Sequence, residues 1–173
     1  MKISIGVLIV AATLVALSLS ARQAPAGERK LRLGTYDNRA IAVAYAQSKY
    51  NPVAEKMKEH GRAKAAGDEK RVKELEQWGE SHQRALHRQG FGRVPVDDLL
   101  AHVRERLPDV ARQMQVDAIT WQCDYKASGV EVVDVTDALA ALFDPSEQTL
   151  KTLAELRNVP AIDLGELEKH QDH

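Results

Sequence analysis

The sequence predicts an α+β protein with a small β-sheet body, packed helices and a projecting antiparallel helical hairpin. Residues 116–143 contain an alternating apolar stretch, a Ser-Gly turn, a valine-rich stretch and an alanine- and leucine-rich segment, a pattern typical of strand, turn, strand and helix. Residues 31–36 alternate in the same way, which adds a strand near the start. Residues 52–90 are highly charged with a narrow apolar stripe, which indicates two exposed helices.

The alternating stretch within residues 116–143 predicts one half-buried strand. Its apolar side chains share one parity: Ile119, Trp121, Cys123 and Tyr125. This parity makes Cys123 a small buried hydrophobe, with a reactive or intermolecular thiol as the alternative. At the end of the second strand, Asp134 or Thr136 is positioned to accept hydrogen bonds from the first-turn N–H groups of the next helix.

The first 26 residues have the pattern of a secretory signal. Lys2 precedes an uncharged apolar run over residues 3–19, and Ala24 and Ala26 supply small residues at the positions a signal peptidase reads. We expect cleavage before Gly27 and a periplasmic or otherwise exported protein. The alternative is a retained anchor, because about 17 apolar residues is the lower limit for a membrane span. Membrane contact is expected only through this segment, if it is not cleaved.

The charge balance argues against nucleic-acid binding, and the cysteine content excludes an intramolecular disulfide. Residues 1–26 contain Lys2, Arg22 and no acidic residue, so their removal leaves 22 of the 24 basic side chains against 25 acidic ones, a formal charge of −3. This balance does not favour nucleic-acid binding. Cys123 is the single cysteine of the sequence, so no intramolecular disulfide forms and the exported chain depends on its apolar core.

The remaining chain divides at its turn signals. Gly67 and Asp68 separate the two helices of the arm, and Pro108 predicts a kink or a junction of two helices. Asp144-Pro145-Ser146-Glu147 predicts a capped start for the next helix. The predicted segments are the first strand and helix of the body (27–50), the helical hairpin arm (51–90), the helix and strand-strand-helix of the body (91–143), and a C-terminal helical extension and tail (144–173).

No group of residues predicts catalysis, cofactor binding or a metal site. Asp97 is better explained as a helix cap than as one of a carboxylate pair with Asp98. His170 and His173 have helical ligand spacing but no third ligand near them in the sequence. Gly90-Phe91-Gly92 lacks the lysine of a phosphate loop, so its glycines are predicted to form a turn. We therefore expect a protein that is not an enzyme.

The order of elements resembles the Skp/OmpH family of periplasmic chaperones. The residues that carry the resemblance are Leu31-Arg32-Leu33-Gly34-Thr35-Tyr36-Asp37 before the hairpin, and residues 116–119 and 132–139 after it. In that family an aspartate, an aliphatic residue and a threonine introduce the last helix of the body, and Asp134-Val135-Thr136 occupies that place here. The resemblance covers residues 31–142, and residues 144–173 have no counterpart in it.

The resemblance implies a homotrimer in which small sheets form a shared body and helical arms surround an unfolded or outer-membrane protein. On this interpretation Met57 and Trp78 contact the client, whereas the alternative is simple packing across the hairpin. Phe91 is predicted to be a plug that seats the base of the hairpin against the body. A second hypothesis is a cell-envelope structural or adaptor protein that docks one folded partner.

Overall fold

A computed structural model describes residues 29–169 as a mixture of helices with a small parallel sheet. The predicted signal segment 1–26, His170 and His173 lie outside the described residues. The strands are β1 (Leu31–Thr35), β2 (Ala118–Thr120) and β3 (Val130–Asp134). The helices are α1 (Asn38–Ala46), α2 (Val53–Ala66), α3 (Glu69–Phe91), α4 (Asp97–Leu100), α5 (Leu107–Met114), α6 (Thr136–Ala140), α7 (Glu147–Leu156) and α8 (Leu164–Lys169), with 3₁₀ turns at Ala101–Arg106 and Ala141–Phe143.

The three strands run parallel in the order β2-β1-β3. Gly34 of β1 lies level with Ile119 of β2 and Val133 of β3. Ile119 and Val133 pack against the helices, so this level belongs to the core face. A side chain at Gly34 would meet Val135 Cγ1 at 3.0 Å, which explains the glycine in the central strand. The two strands predicted from residues 116–143 therefore lie on opposite sides of β1.

The prediction for Cys123 is wrong. β2 ends at Thr120 because its partner β1 ends at the paired Thr35, so the following residues leave the sheet despite their alternating pattern. Cys123 is partly exposed in this loop, and its thiol donates to the Tyr125 carbonyl at 3.0 Å. Tyr125 itself is 84% exposed. Trp121 still packs against the core, but the alternation beyond it does not correspond to a buried face.

The core is built around α1. Its alanine-rich sequence is buried on most sides, with Ile41 fully inaccessible and Tyr45 almost so. The Tyr45 ring meets Phe143 edge to face at 6.1 Å. Leu139 of α6, Val96 and Val135 belong to the same most deeply buried set. Burial of each side chain of this size stabilises the folded state by about 2 kcal/mol. These buried side chains make α1 the helix on which the other elements pack.

Helices α2 and α3 are long, charged and joined by two residues. Gly67 closes α2 in the left-handed conformation, with φ of 73°, and the Asp68 side chain caps α3 by accepting from Arg71 N–H at 3.0 Å. Arg71 also reaches across to Glu59, with its Nε 2.8 Å from the carboxylate. These contacts fix the end of the helix pair farthest from the sheet.

The junction predicted at Pro108 is confirmed, whereas the cap predicted for the following helix differs in detail. The segment before β2 is interrupted, because α5 starts at Leu107 with Pro108 in its first turn. The cap of α7 is Ser146, whose hydroxyl accepts from Thr149 N–H at 3.2 Å. Asp144 instead takes a left-handed conformation just before the cap.

The residues after α7 pack back onto the body. Arg39 donates to the Val159 carbonyl at 2.7 Å, and Ile162 N–H donates to the Phe91 carbonyl at 2.9 Å. Leu167 of α8 is 3% exposed and lies over Gly92, where a Cβ atom would come within 3.1 Å of the Leu167 side chain. The C-terminal extension is therefore part of the folded body.

Candidate functional site

An open apolar groove of about 740 Å³ lies between α1, α2, α3 and α7. Its size is within the range of ligand pockets in proteins. Most of the lining side chains are aliphatic or aromatic, although they lie between two helices with charged outer faces. The main apolar residues are Ala42, Val43, Ala46, Val53, Met57, Leu75, Trp78, Leu86, Phe91 and Leu156.

The spacing of residues on α2 and α3 produces the two walls. Val53, Met57 and His60 recur at intervals of four and three, and therefore share one face of α2. On α3, Leu75, Trp78, Gly79, His82, Leu86 and Gly90 follow the same rule. The narrow apolar stripe predicted within residues 52–90 thus lines an incompletely filled space, because glycine and histidine take positions where a coiled-coil seam would have large aliphatic side chains.

Aromatic and histidine side chains organise one wall of the groove. The Trp78 and His82 rings stack with centroids 4.8 Å apart, and Lys56 Nζ lies 5.9 Å from the Trp78 ring centroid. His82 Nε2 is 3.0 Å from Asn51 Oδ1, which connects α3 to the start of α2. Burial lowers the pKa of His82, so the neutral imidazole is favoured in the folded protein.

The predicted contact residues both line this groove. Met57 is 69% exposed, so a thioether chain projects into open space on α2. Trp78 is partly buried by the stack with His82. Phe91 is not the predicted plug, because it is 45% exposed at one end of the groove, with its ring 4.6 Å from that of His87.

Sequence reasoning did not identify the floor of the groove. Val43 and Ala46 come from α1, and Leu156 comes from α7, more than 100 residues later in the chain. The sequence feature that could have identified this floor is the composition of α1, which is apolar on most sides and therefore has more than one apolar face to cover.

A second, polar cavity of about 350 Å³ lies at the carboxyl ends of the parallel strands. Asp37 and Arg39 form an ion pair at 2.6 Å beside it, and Arg93 also lines it. Burial alone would raise the pKa of Asp37, but the hydrogen bonds and charge of Arg39, together with the charge of Arg93, outweigh it and lower this pKa. Arg39 is only 8% exposed, so the ion pair compensates a buried charge.

The polar groups around this cavity are bonded mainly to one another. The Thr136 hydroxyl accepts from Asp37 N–H at 3.0 Å and donates to Asp134 Oδ1 at 2.5 Å. Asp134 Oδ1 also accepts from Thr136 N–H at 2.9 Å, at the start of α6. Asn38 donates to the Gln89 and Gly92 carbonyls, both at 2.9 Å. This network joins the strand ends to α1, α3 and α6, which is a structural role.

Within residues 29–169, no group of three or more His, Cys, Asp and Glu side chains is arranged to hold a metal ion. In the same residues, no helix combines the length and the apolar character needed to cross a membrane. The capping predicted for Asp97 is wrong, because α4 has no side-chain cap; Asp98 accepts from Gln89 Nε2 at 2.8 Å in the first turn of this helix. The apolar groove is therefore the feature of the described residues with the clearest capacity to bind something.

Comparisons with known proteins give no relative for this chain: no family model, no curated protein and no solved structure matches it.

Proposed function

We propose that this chain is an exported holdase-like chaperone that binds unfolded or outer-membrane proteins in the apolar groove, without catalysis. The observation that carries the proposal is the groove itself, which presents apolar side chains to solvent between two highly charged helices. Exposed apolar surfaces of this kind are typical of interaction sites. Met57 and Trp78 are the client contacts in this proposal.

In this function α2 and α3 act as a projecting antiparallel helical hairpin. Their packing is supported by pairs such as His60 with Glu76 at 3.3 Å and Arg71 with Glu59 at 2.8 Å, which hold the end distant from the body. Nearer the body the space between the helices stays open. Binding by scattered apolar contacts gives modest affinity, so clients are released without a nucleotide.

Homotrimer assembly belongs to the same proposal and is supported by the sheet. The residues in register with Leu33 are Ala118 and Val132, and alternation places these three opposite the core face defined by Gly34. Leu31 on the same parity is 53% exposed. Because parallel sheets are normally covered on both faces, this face favours association with further copies of the chain.

The second candidate is a cell-envelope adaptor that docks one specific folded partner. It is favoured by α7 and the segment after it, which add Thr152 and Leu156 to the floor of the groove and are fixed to the body through Arg39. A groove with a shaped floor suits a defined ligand better than a broad set of clients. A stoichiometric complex with one folded envelope protein would support this candidate over the chaperone.

The test of the chaperone is the aggregation of an outer-membrane barrel protein diluted from urea, followed by light scattering. A molar excess of this protein should suppress the scattering. Met57→Asp should weaken the suppression several-fold, because it places a charge among apolar groove residues. Unchanged scattering with excess wild-type protein would contradict the proposal.

The matched control is Leu150→Asp. Leu150 is 51% exposed on α7 but does not line the groove, so the substitution removes a comparable exposed apolar side chain elsewhere. It should suppress scattering as well as the wild type does. Equal losses for Met57→Asp and Leu150→Asp would show that general surface charge, and not the groove, determines the effect.

A further inference from the structure

We propose that the groove takes a single amphipathic helix with a small residue at its centre and acidic residues at the edge of its apolar face. This inference rests on the proposed function and names the segment that its site recognises. It is carried by the glycines of α3, by the helical walls of the groove and by the charges near it.

Gly79 and Gly90 are groove residues inside α3, and neither is explained by the described contacts of the chain. A Cβ atom built at either position meets no atom within 4 Å outside its own helix. Gly79 lies in the interior of α3, where glycine is destabilising relative to alanine, so it weakens the helix without relieving a close contact, whereas Gly90 is the next-to-last residue of the helix. Close approach of another backbone is one use of glycine, and Gly79 leaves room in the groove for an occupant packed directly onto it.

The walls indicate the conformation of the occupant. Both α2 and α3 satisfy their main-chain groups internally, so the groove offers no row of free N–H and C=O groups to an extended segment. An extended segment would leave its own polar main-chain groups unpaired against apolar side chains. A helix carries its hydrogen bonds with it. Residues 75–91 span about 24 Å of α3, which matches about 16 residues of a second helix.

The charges near the groove indicate which side chains flank the apolar face of the bound helix. The charges of Lys56 and Glu76 in the groove lining balance each other, and the neutral ring of His82 adds none. Residues 81–93 contain Arg84, Arg88 and Arg93 and no acidic residue. Acidic side chains flanking the apolar face of the bound helix would therefore meet a complementary field, and lysines in the same places would not.

The experiment uses a fluorescently labelled 16-residue peptide with leucines at helical spacing, one central alanine and glutamates at the edges of the apolar face. Anisotropy should show saturable binding to the purified protein. Replacing the glutamates by lysines, or the central alanine by proline, should weaken binding at least tenfold. Equal binding of all three peptides would overturn the inference.

Variants of the protein test the role of the glycine. Gly79→Leu should weaken peptide binding at least tenfold because its side chain fills the groove. Gly61→Leu is the matched control: Gly61 lies in α2, is exposed and does not line the groove. Both changes replace a helical glycine by a strong helix former, so both should raise Tm by about 3 °C. Unchanged peptide affinity in Gly79→Leu would contradict the inference.

The same samples separate this inference from the proposed function. Suppression of barrel-protein aggregation without peptide binding would overturn the helix proposal alone, and absence of both would overturn both. Displacement of the peptide by dodecanoate at equal affinity would assign the groove to acyl chains. A change of solution mass in Gly79→Leu would assign it to a second copy. Either result would overturn the helix proposal.

Discussion

At the residue scale, Thr136 connects three parts of the fold through one hydroxyl group. It accepts from the N–H of Asp37, the N-cap residue of α1, and it donates to Asp134 at the end of β3. The side chain is 5% exposed, so water does not readily replace either partner. The aspartate-aliphatic-threonine sequence that carries the family resemblance therefore acts here as a joint between strand and helix.

We expect Thr136→Val to destabilise the protein by about 2 kcal/mol. Valine has nearly the same shape, but it leaves Asp37 N–H and one interaction of Asp134 without the hydroxyl group, and unpaired buried polar groups are costly. Urea unfolding followed by circular dichroism would measure the loss. Thr136→Ser keeps the hydroxyl and should lose less than half as much. Wild-type stability in the valine variant would show that the hydroxyl network does not contribute to folding.

At the scale of elements, the boundary of a helix or strand is predictable when the residues that set it lie close to it in the sequence. The glycine at position 67 and the capping aspartate at 68 define the boundary between α2 and α3 within a few residues, so the sequence was sufficient to predict it. The end of β2 was not predictable in this way. It is set by the end of β1 at Thr35, about 85 residues earlier, and the alternation through Cys123 contains no information about that partner.

The candidate site likewise combines residues that the local sequence predicts with residues that only the tertiary fold brings together. Met57 and Trp78 were found because they recur on the charged helices at helical spacing. The walls they belong to enclose a groove only because α1 and α7 pack beneath them, and Leu156 reaches this place from the far end of the chain. Phe91 was misjudged for a related reason: α8 covers Gly92 next to it, and Phe91 itself remains at the open end of the groove.

The pairing of α2 with α3 should weaken at acidic pH through His82. The burial that lowers the pKa of His82 favours the neutral ring in the folded protein, whereas the unfolded chain binds a proton at the ordinary value of about 6.5. The stabilising contribution is therefore present above that value and is lost as the pH falls toward the folded pKa. The neighbouring Asn51 amide and Trp78 ring carry no negative charge that would pair with a proton on His82.

The measurement is Tm at pH 7.5 and pH 5.5 for the wild type and for His82→Gln. Glutamine keeps a donor for Asn51 but does not titrate, so the difference in Tm between the two pH values should be smaller in the variant. An identical difference in both proteins would assign the acid sensitivity to other groups.

At the scale of the whole molecule, the parallel sheet is covered by helices on one face, where Ile119 and Val133 contact the core. The opposite face carries Leu31 and Val132, and half or more of Leu31 is accessible in the single chain. A small sheet with one apolar face open is better stabilised by association than by remaining alone in water. The charged arms of the assembled protein would then extend from a common body with each groove still open.

We expect the protein to elute from a sizing column with a light-scattering mass of about three chains. Leu31→Lys combined with Val132→Lys should reduce this mass to one chain, because the two ammonium groups would have to be buried at the shared sheet face. Leu150→Lys is the control: it changes an exposed leucine on α7 and should leave the mass at three chains. A wild-type protein that elutes as a monomer would contradict the trimer, and would make the adaptor the better candidate because one chain alone would then present one groove.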